Sequence, residues 1–75
     1  MSAKEMFEKL GYKKVEDRYY ACLYEKVVEQ EDYTWKHRIV FETDGKTKYV
    51  FSDKYTSMEL LQAINKQIEE LGWNK

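Results

Sequence analysis

The chain reads as an α+β domain of order α-β-β-β-α, a three-stranded antiparallel meander with both helices packed on one face. Three observations predict this. Apolar residues recur at helical spacing near both ends, the spacing falls to two between them, and each periodic stretch is closed by a capping or turn residue. Seventy-five residues with one Cys and no Pro make one domain, residues 1–75, whose core rests on seven Tyr, three Phe and two Trp. A chain this short buries only about 60% of the surface its unfolded form exposes, so the rings have to supply most of the core.

The first helix covers about residues 3–10. Ser2-Ala3-Lys4-Glu5 has the form of a capping box, in which the Ser2 hydroxyl accepts from the Glu5 amide and the Glu5 carboxylate accepts from the Ser2 amide. Ala3, Met6, Phe7 and Leu10 then fall on one stripe, and Gly11 stops the helix by taking the left-handed conformation a Cβ would disfavour. Tyr12 is expected to lie back on Phe7.

The first strand runs from about Arg18 to Val28 and is apolar on both sides. If Glu29 pairs with Tyr33, then Leu23 meets Ile39 and the odd set (Tyr19, Ala21, Leu23, Val27) turns inward, leaving Tyr20 and Tyr24 to the wetter face. The second strand, Tyr33 to Glu42, alternates clearly, and so does the third, Thr47 to Ser52. Between them Asp44-Gly45 marks a turn. A three-residue loop, Thr43-Asp44-Gly45, pairs Ile39 with Tyr49 and His37 with Phe51, which gathers Trp35, Ile39, Phe41, Tyr49 and Phe51 on the inner face.

The last helix covers about residues 57–71. Thr56-Ser57-Met58-Glu59 has the form of a second capping box with Tyr55 and Leu60 as its staple pair. Leu60, Leu61, Ile64, Ile68 and Leu71 form the inward stripe, and Gly72 closes the helix so that Trp73 folds onto Ile68.

The two ends, Glu5-Met6-Phe7-Glu8-Lys9-Leu10-Gly11-Tyr12 and Leu61 through Trp73 (LQAINKQIEELGW), resemble a small protein family of Firmicutes bacteria and their phages and prophages, a domain of unknown function with a helix ending in LGY and a last helix ending in ELGW. The resemblance implies a bacterial or phage cytoplasmic origin and no activity. The element order is also similar to that of the double-stranded-RNA-binding domain. That family contacts phosphates with a Lys-rich start to its last helix, where this chain has Thr56-Ser57-Met58-Glu59-Leu60-Leu61, and reads the minor groove from a Pro-containing loop, where this chain has Glu29-Gln30-Glu31-Asp32. Both departures work against binding a phosphate backbone.

Chemistry-bearing residues are sparse. His37 and Cys22 are the sole representatives of their types and fall on opposite faces in this register, so they form no Cys/His pair, and two such ligands are too few for a structural zinc site. The carboxylates lack the spacing of a calcium loop, and the three glycines serve caps and a turn rather than a phosphate cradle. No cofactor, metal or small-molecule ligand is implied, and the chain is expected to be non-enzymatic. Lys4, Glu5, Glu8 and Lys9 break the first ten residues as a leader or membrane span, and a lone Cys suits the cytoplasm.

The charge is unevenly placed. The formal net charge is -1, yet Thr34 to Lys54 holds five Lys and Arg against three Asp and Glu. The open sheet face is therefore expected to present Tyr20, Tyr24, Lys36, Arg38, Val40, Lys48 and Val50 as a partner-binding surface. Such a surface fits a protein partner or a homodimer, since Tyr and Arg are enriched at interfaces. The alternative is single-stranded nucleic acid, bound by rings that stack bases among cations that meet phosphates.

Overall fold

The computed structural model describes residues 1–74. In chain order it has α1 (Ala3–Lys9), β1 (Lys13–Arg18), β2 (Ala21–Glu29), β3 (Thr34–Thr43), β4 (Lys48–Ser52) and α2 (Met58–Leu71). The four strands form one antiparallel sheet in the order β1-β2-β3-β4, and both helices pack on one face of it. The α+β meander is as expected, with one strand more. The segment around Tyr19 and Tyr20 is a tight turn, so the chain before it folds back as β1 along β2, with an irregularity between Lys14 and Glu16.

The caps of α1 form as the spacing predicts. The Ser2 hydroxyl accepts from the Glu5 amide at 3.2 Å, and Glu5 Oε1 accepts from the Ser2 amide at 3.0 Å. Gly11 has φ 93°, and past it the Tyr12 amide donates to the Phe7 carbonyl at 2.9 Å, which sets the two rings edge to face. At the other end Gly72 has φ 75°, and the Trp73 amide donates to the Ile68 carbonyl at 3.1 Å. The start of α2 differs from expectation. Its N-cap is Ser57, whose hydroxyl accepts from the Leu60 amide at 3.1 Å, so the cap falls one residue later than the Thr56 reading and Glu59 makes no reciprocal bond. Tyr55 is fully exposed and staples nothing. The buried stripe of α2 is Leu60, Ala63, Ile64 and Gln67, with Ile68 and Leu71 at its edge and Leu61 exposed.

Both strand registers differ from expectation by the length of a loop. The Gln30 amide donates to the Tyr33 carbonyl at 2.7 Å, closing a two-residue connection of Glu31 and Asp32. Glu29 therefore pairs with Thr34, Tyr24 with Ile39 and Cys22 with Phe41. Side chains alternate along a strand, so this single step turns the even set of β2 inward and the odd set outward. The connection from β3 to β4 is Asp44 to Thr47, held by the Asp44 carboxylate, which accepts from the Lys46 and Thr47 amides at 2.9 and 2.8 Å. Thr43 pairs with Lys48, Phe41 with Val50 and Ile39 with Ser52, which sends Tyr49 and Phe51 to the open face.

Tyr24 consequently stands at the centre of the core instead of on its surface. Its ring stacks on Phe7 at 3.8 Å with an interplanar angle of 16°, and Phe41 meets it edge-on at 6.3 Å. A ring with a hydroxyl can be buried without penalty only if the hydroxyl finds an acceptor, and Gln67 supplies one at 2.6 Å. That bond explains why a glutamine lies on the buried stripe of α2. The two helices are tied to each other by the Ala3 amide, which donates to Glu70 Oε2 at 2.8 Å.

Candidate functional site

The face of the sheet away from the helices is open. Cross-strand partners share a face, so the registers define what this face presents. Its centre is an apolar row, Leu23 opposite Val40 and Val40 opposite Phe51. Beside it, Ala21 lies opposite Glu42 and Glu42 opposite Tyr49. On the other flank Lys13 lies opposite Glu25 and Glu25 opposite Arg38, and beyond these Val27 lies opposite Lys36. Phe51 is 57% exposed and Tyr49 50% exposed, so their rings stand largely in solvent.

Of the seven residues expected on this face, Lys36, Arg38 and Val40 lie on it. Tyr24 does not, being fully buried for the register reason given above. Tyr20 sits in the turn before β2, where its hydroxyl accepts from the Arg18 guanidinium at 2.7 Å and Tyr19 meets its ring edge-on. Lys48 and Val50 share the helix side with Phe41 and Thr43, yet Val50, on an edge strand, is 42% exposed. Leu23, Glu25, Tyr49 and Phe51 are the members that sequence reasoning missed. Their signal was present in the alternation and was read with inverted parity.

Two of the basic residues of the face, Lys36 and Arg38, lie beside one carboxylate. Glu25 lies 3.8 Å from Lys36 and 3.9 Å from Arg38, and the Arg38 backbone amide donates to Asp53 Oδ1 at 2.9 Å. Acidic and basic side chains alternate across the strands: Lys13, Arg18, Lys36 and Arg38 on one count, Glu16, Glu25, Glu29 and Glu42 on the other. The excess positive charge of the Thr34 to Lys54 stretch is thus offset on this face by carboxylates contributed from β1 and β2.

Cys22 and His37 lie on the same buried face, contrary to expectation, because β2 presents its even set inward. They remain apart: Cys22 lies opposite Phe41 and His37 opposite Lys26, four residues along the strand, or about 13 Å at strand rise. Burial pushes the Cys22 thiol above its ordinary pKa, so it stays protonated. His37, 5% exposed, bridges Tyr12 and Ser52: its Nδ1 is 2.5 Å from the Tyr12 hydroxyl and its Nε2 is 2.9 Å from Ser52 Oγ. The Ser52 hydroxyl donates to the Lys54 carbonyl at 3.1 Å. One proton placement satisfies the whole chain. Tyr12 donates to Nδ1, Nε2 donates to Ser52, and Ser52 donates to the backbone. The ring nitrogen facing Ser52 therefore carries a proton and cannot take one from it, so the arrangement ties the connection between α1 and β1 to β3 and β4 without activating the serine. Among the described residues no cluster of His, Cys, Asp and Glu is arranged to hold a metal ion, and no helix is long and apolar enough to cross a membrane.

Family models, curated proteins and solved structures contain no match to this chain.

Proposed function

We propose that this chain is a small non-enzymatic interaction protein, of the cytoplasmic phage or prophage accessory kind that its two terminal motifs resemble, and that it associates with protein through the open face of its sheet. A second copy of itself is the partner this face fits best. The observation that carries the reading is the row Leu23, Val40, Phe51 with Tyr49 beside it, an apolar strip with two half-exposed rings. Burying such rings is the strongest driving force this surface has to offer. The surrounding charges are balanced and interleaved, which gives a second copy no net repulsion to overcome.

Single-stranded nucleic acid is the other class of partner the rings could serve. It is less well supported, since Lys36 and Arg38 already face Glu25 and would have to give up that carboxylate for a phosphate.

Light scattering over micromolar to millimolar concentration tests the reading. The wild-type mass is expected to rise with concentration, and Phe51→Glu is expected to hold it at the monomer with an unchanged circular-dichroism spectrum. A wild-type monomer at every concentration overturns the proposal.

A further inference from the structure

The two edges of the sheet are built differently. Edge strands expose unpaired backbone groups and are ordinarily guarded by charge, proline or a bulge. β1 is guarded on all of its length: five of its six residues are charged (Lys13, Lys14, Glu16, Asp17, Arg18) and its ladder is interrupted at Val15. β4 reads Lys48-Tyr49-Val50-Phe51-Ser52, with no proline, no irregularity and an uncharged centre whose three residues are all at least 42% exposed.

The hydrogen bonds show which groups β4 leaves free. The Asp44 amide donates to the Thr47 carbonyl at 3.3 Å and the Asp53 amide to the Arg38 carbonyl at 3.4 Å, so Thr47 and Asp53 turn their backbone toward β3. Alternation in an antiparallel ladder makes Tyr49 and Phe51 do the same and points the N–H and C=O of Lys48, Val50 and Ser52 outward. The strand is also self-complementary about Val50. Laid antiparallel on a second copy of itself, Val50 meets Val50, Lys48 meets Ser52, and Tyr49 meets Phe51 of the other copy twice. The residues that meet as Lys48–Ser52 and Val50–Val50 are the ones with outward backbone groups, so register and hydrogen bonding agree.

We propose that two copies of this chain pair antiparallel along β4, centred on Val50, to form one continuous eight-stranded sheet. This rests on the reading above only in taking the partner to be a second copy; it moves the contact from the open face to the β4 edge of the sheet, where Tyr49 and Phe51 take part from the side. The pairing exchanges six backbone hydrogen bonds, places no like charges opposite each other within the strand, and is isologous, so it closes at the dimer. On the open face it brings two Tyr49 and two Phe51 rings into one block flanked by Val40 of each copy. On the helix side it covers Val50 with Val50.

Two variants test it. Val50→Pro removes an outward N–H that bonds to nothing in β3, and proline is tolerated on such an edge. It is expected to keep the wild-type circular-dichroism spectrum and to be monomeric wherever the wild type is dimeric. The second test mixes Tyr49→Cys with Phe51→Cys under mild oxidation. These positions face each other as a pair without backbone bonds, about 4.5 Å apart at Cα, within disulfide reach. Cys22 is buried and leaves the introduced thiol as the accessible one. The mixture is expected to cross-link several-fold more than either variant alone, whose own thiols lie about 7–8 Å apart on the diagonal. A dimer that survives Val50→Pro, or cross-linking no greater in the mixture than in the single variants, overturns the edge pairing and leaves self-association standing. A monomeric wild type overturns both. If Val50→Pro alters the fold, the cross-linking ratio decides.

Discussion

His37 shows how one side chain sets a pH dependence. Burial holds its pKa below the ordinary imidazole value, with Lys26 and Lys54 pushing the same way and Asp53, 3.9 Å from Nε2, opposing them. The folded protein therefore keeps the ring neutral where the unfolded chain has begun to protonate it. Below the unfolded value of about 6.5 the unfolded state binds more protons, so stability falls as pH drops through that point toward the folded pKa. Urea midpoints are expected to be flat from about pH 8 to 7 and to decline by pH 5.5, while His37→Gln flattens that segment. Glu5 and Asp44 have lowered pKa values from the backbone amides they accept, so their contribution is lost only at more acid pH, as carboxylates titrate. Tyr12, raised chiefly by burial, acts at the alkaline end, where the unfolded chain ionises first and stability falls.

Among elements, the start of α2 offers a direct measurement. Ser57 is the cap, so Ser57→Ala is expected to cost about 1 kcal/mol in urea unfolding, whereas Thr56→Ala, which removes only an exposed 3.4 Å contact to Ser52, is expected to be near neutral. Both helices and the two clearly alternating strands were legible, because capping residues and periodicity are local signals that tertiary packing did not override. The sheet faces were not. Glu31-Asp32 carries none of the glycine or asparagine that marks a two-residue hairpin, so its length could be read as three as readily as two. One residue of error there exchanged Tyr24 for Leu23 and moved the centre of the core onto the supposed binding surface. Asp44-Gly45 was recognised as a turn, yet the Asp44 carboxylate, accepting from the Lys46 and Thr47 amides, centres it on Gly45 and Lys46 and pairs Thr43 with Lys48. That shift of register put Tyr49 and Phe51 outside. β1 was missed because only Val15 in it is apolar, and the strand is held by its ladder to β2.

For the whole molecule, charge arithmetic and charge placement give different expectations. The Thr34 to Lys54 stretch is basic in sequence, but folding sets β1 and β2 beside β3, and their carboxylates neutralise the open face. Fluorescence anisotropy with a labelled single-stranded oligonucleotide is accordingly expected to show no binding at low salt; binding that weakens steeply with added salt would favour the nucleic-acid reading instead. The α1–α2 contact matters at this scale too. Because the Ala3 amide reaches Glu70, the beginning and end of the fold lie side by side on the helical layer. Fusions, surface tethers or a linker joining the two ends would therefore all attach at the back of the slab. A molecule immobilised from either end would present its open sheet to solution, and β4 would stay accessible at its rim.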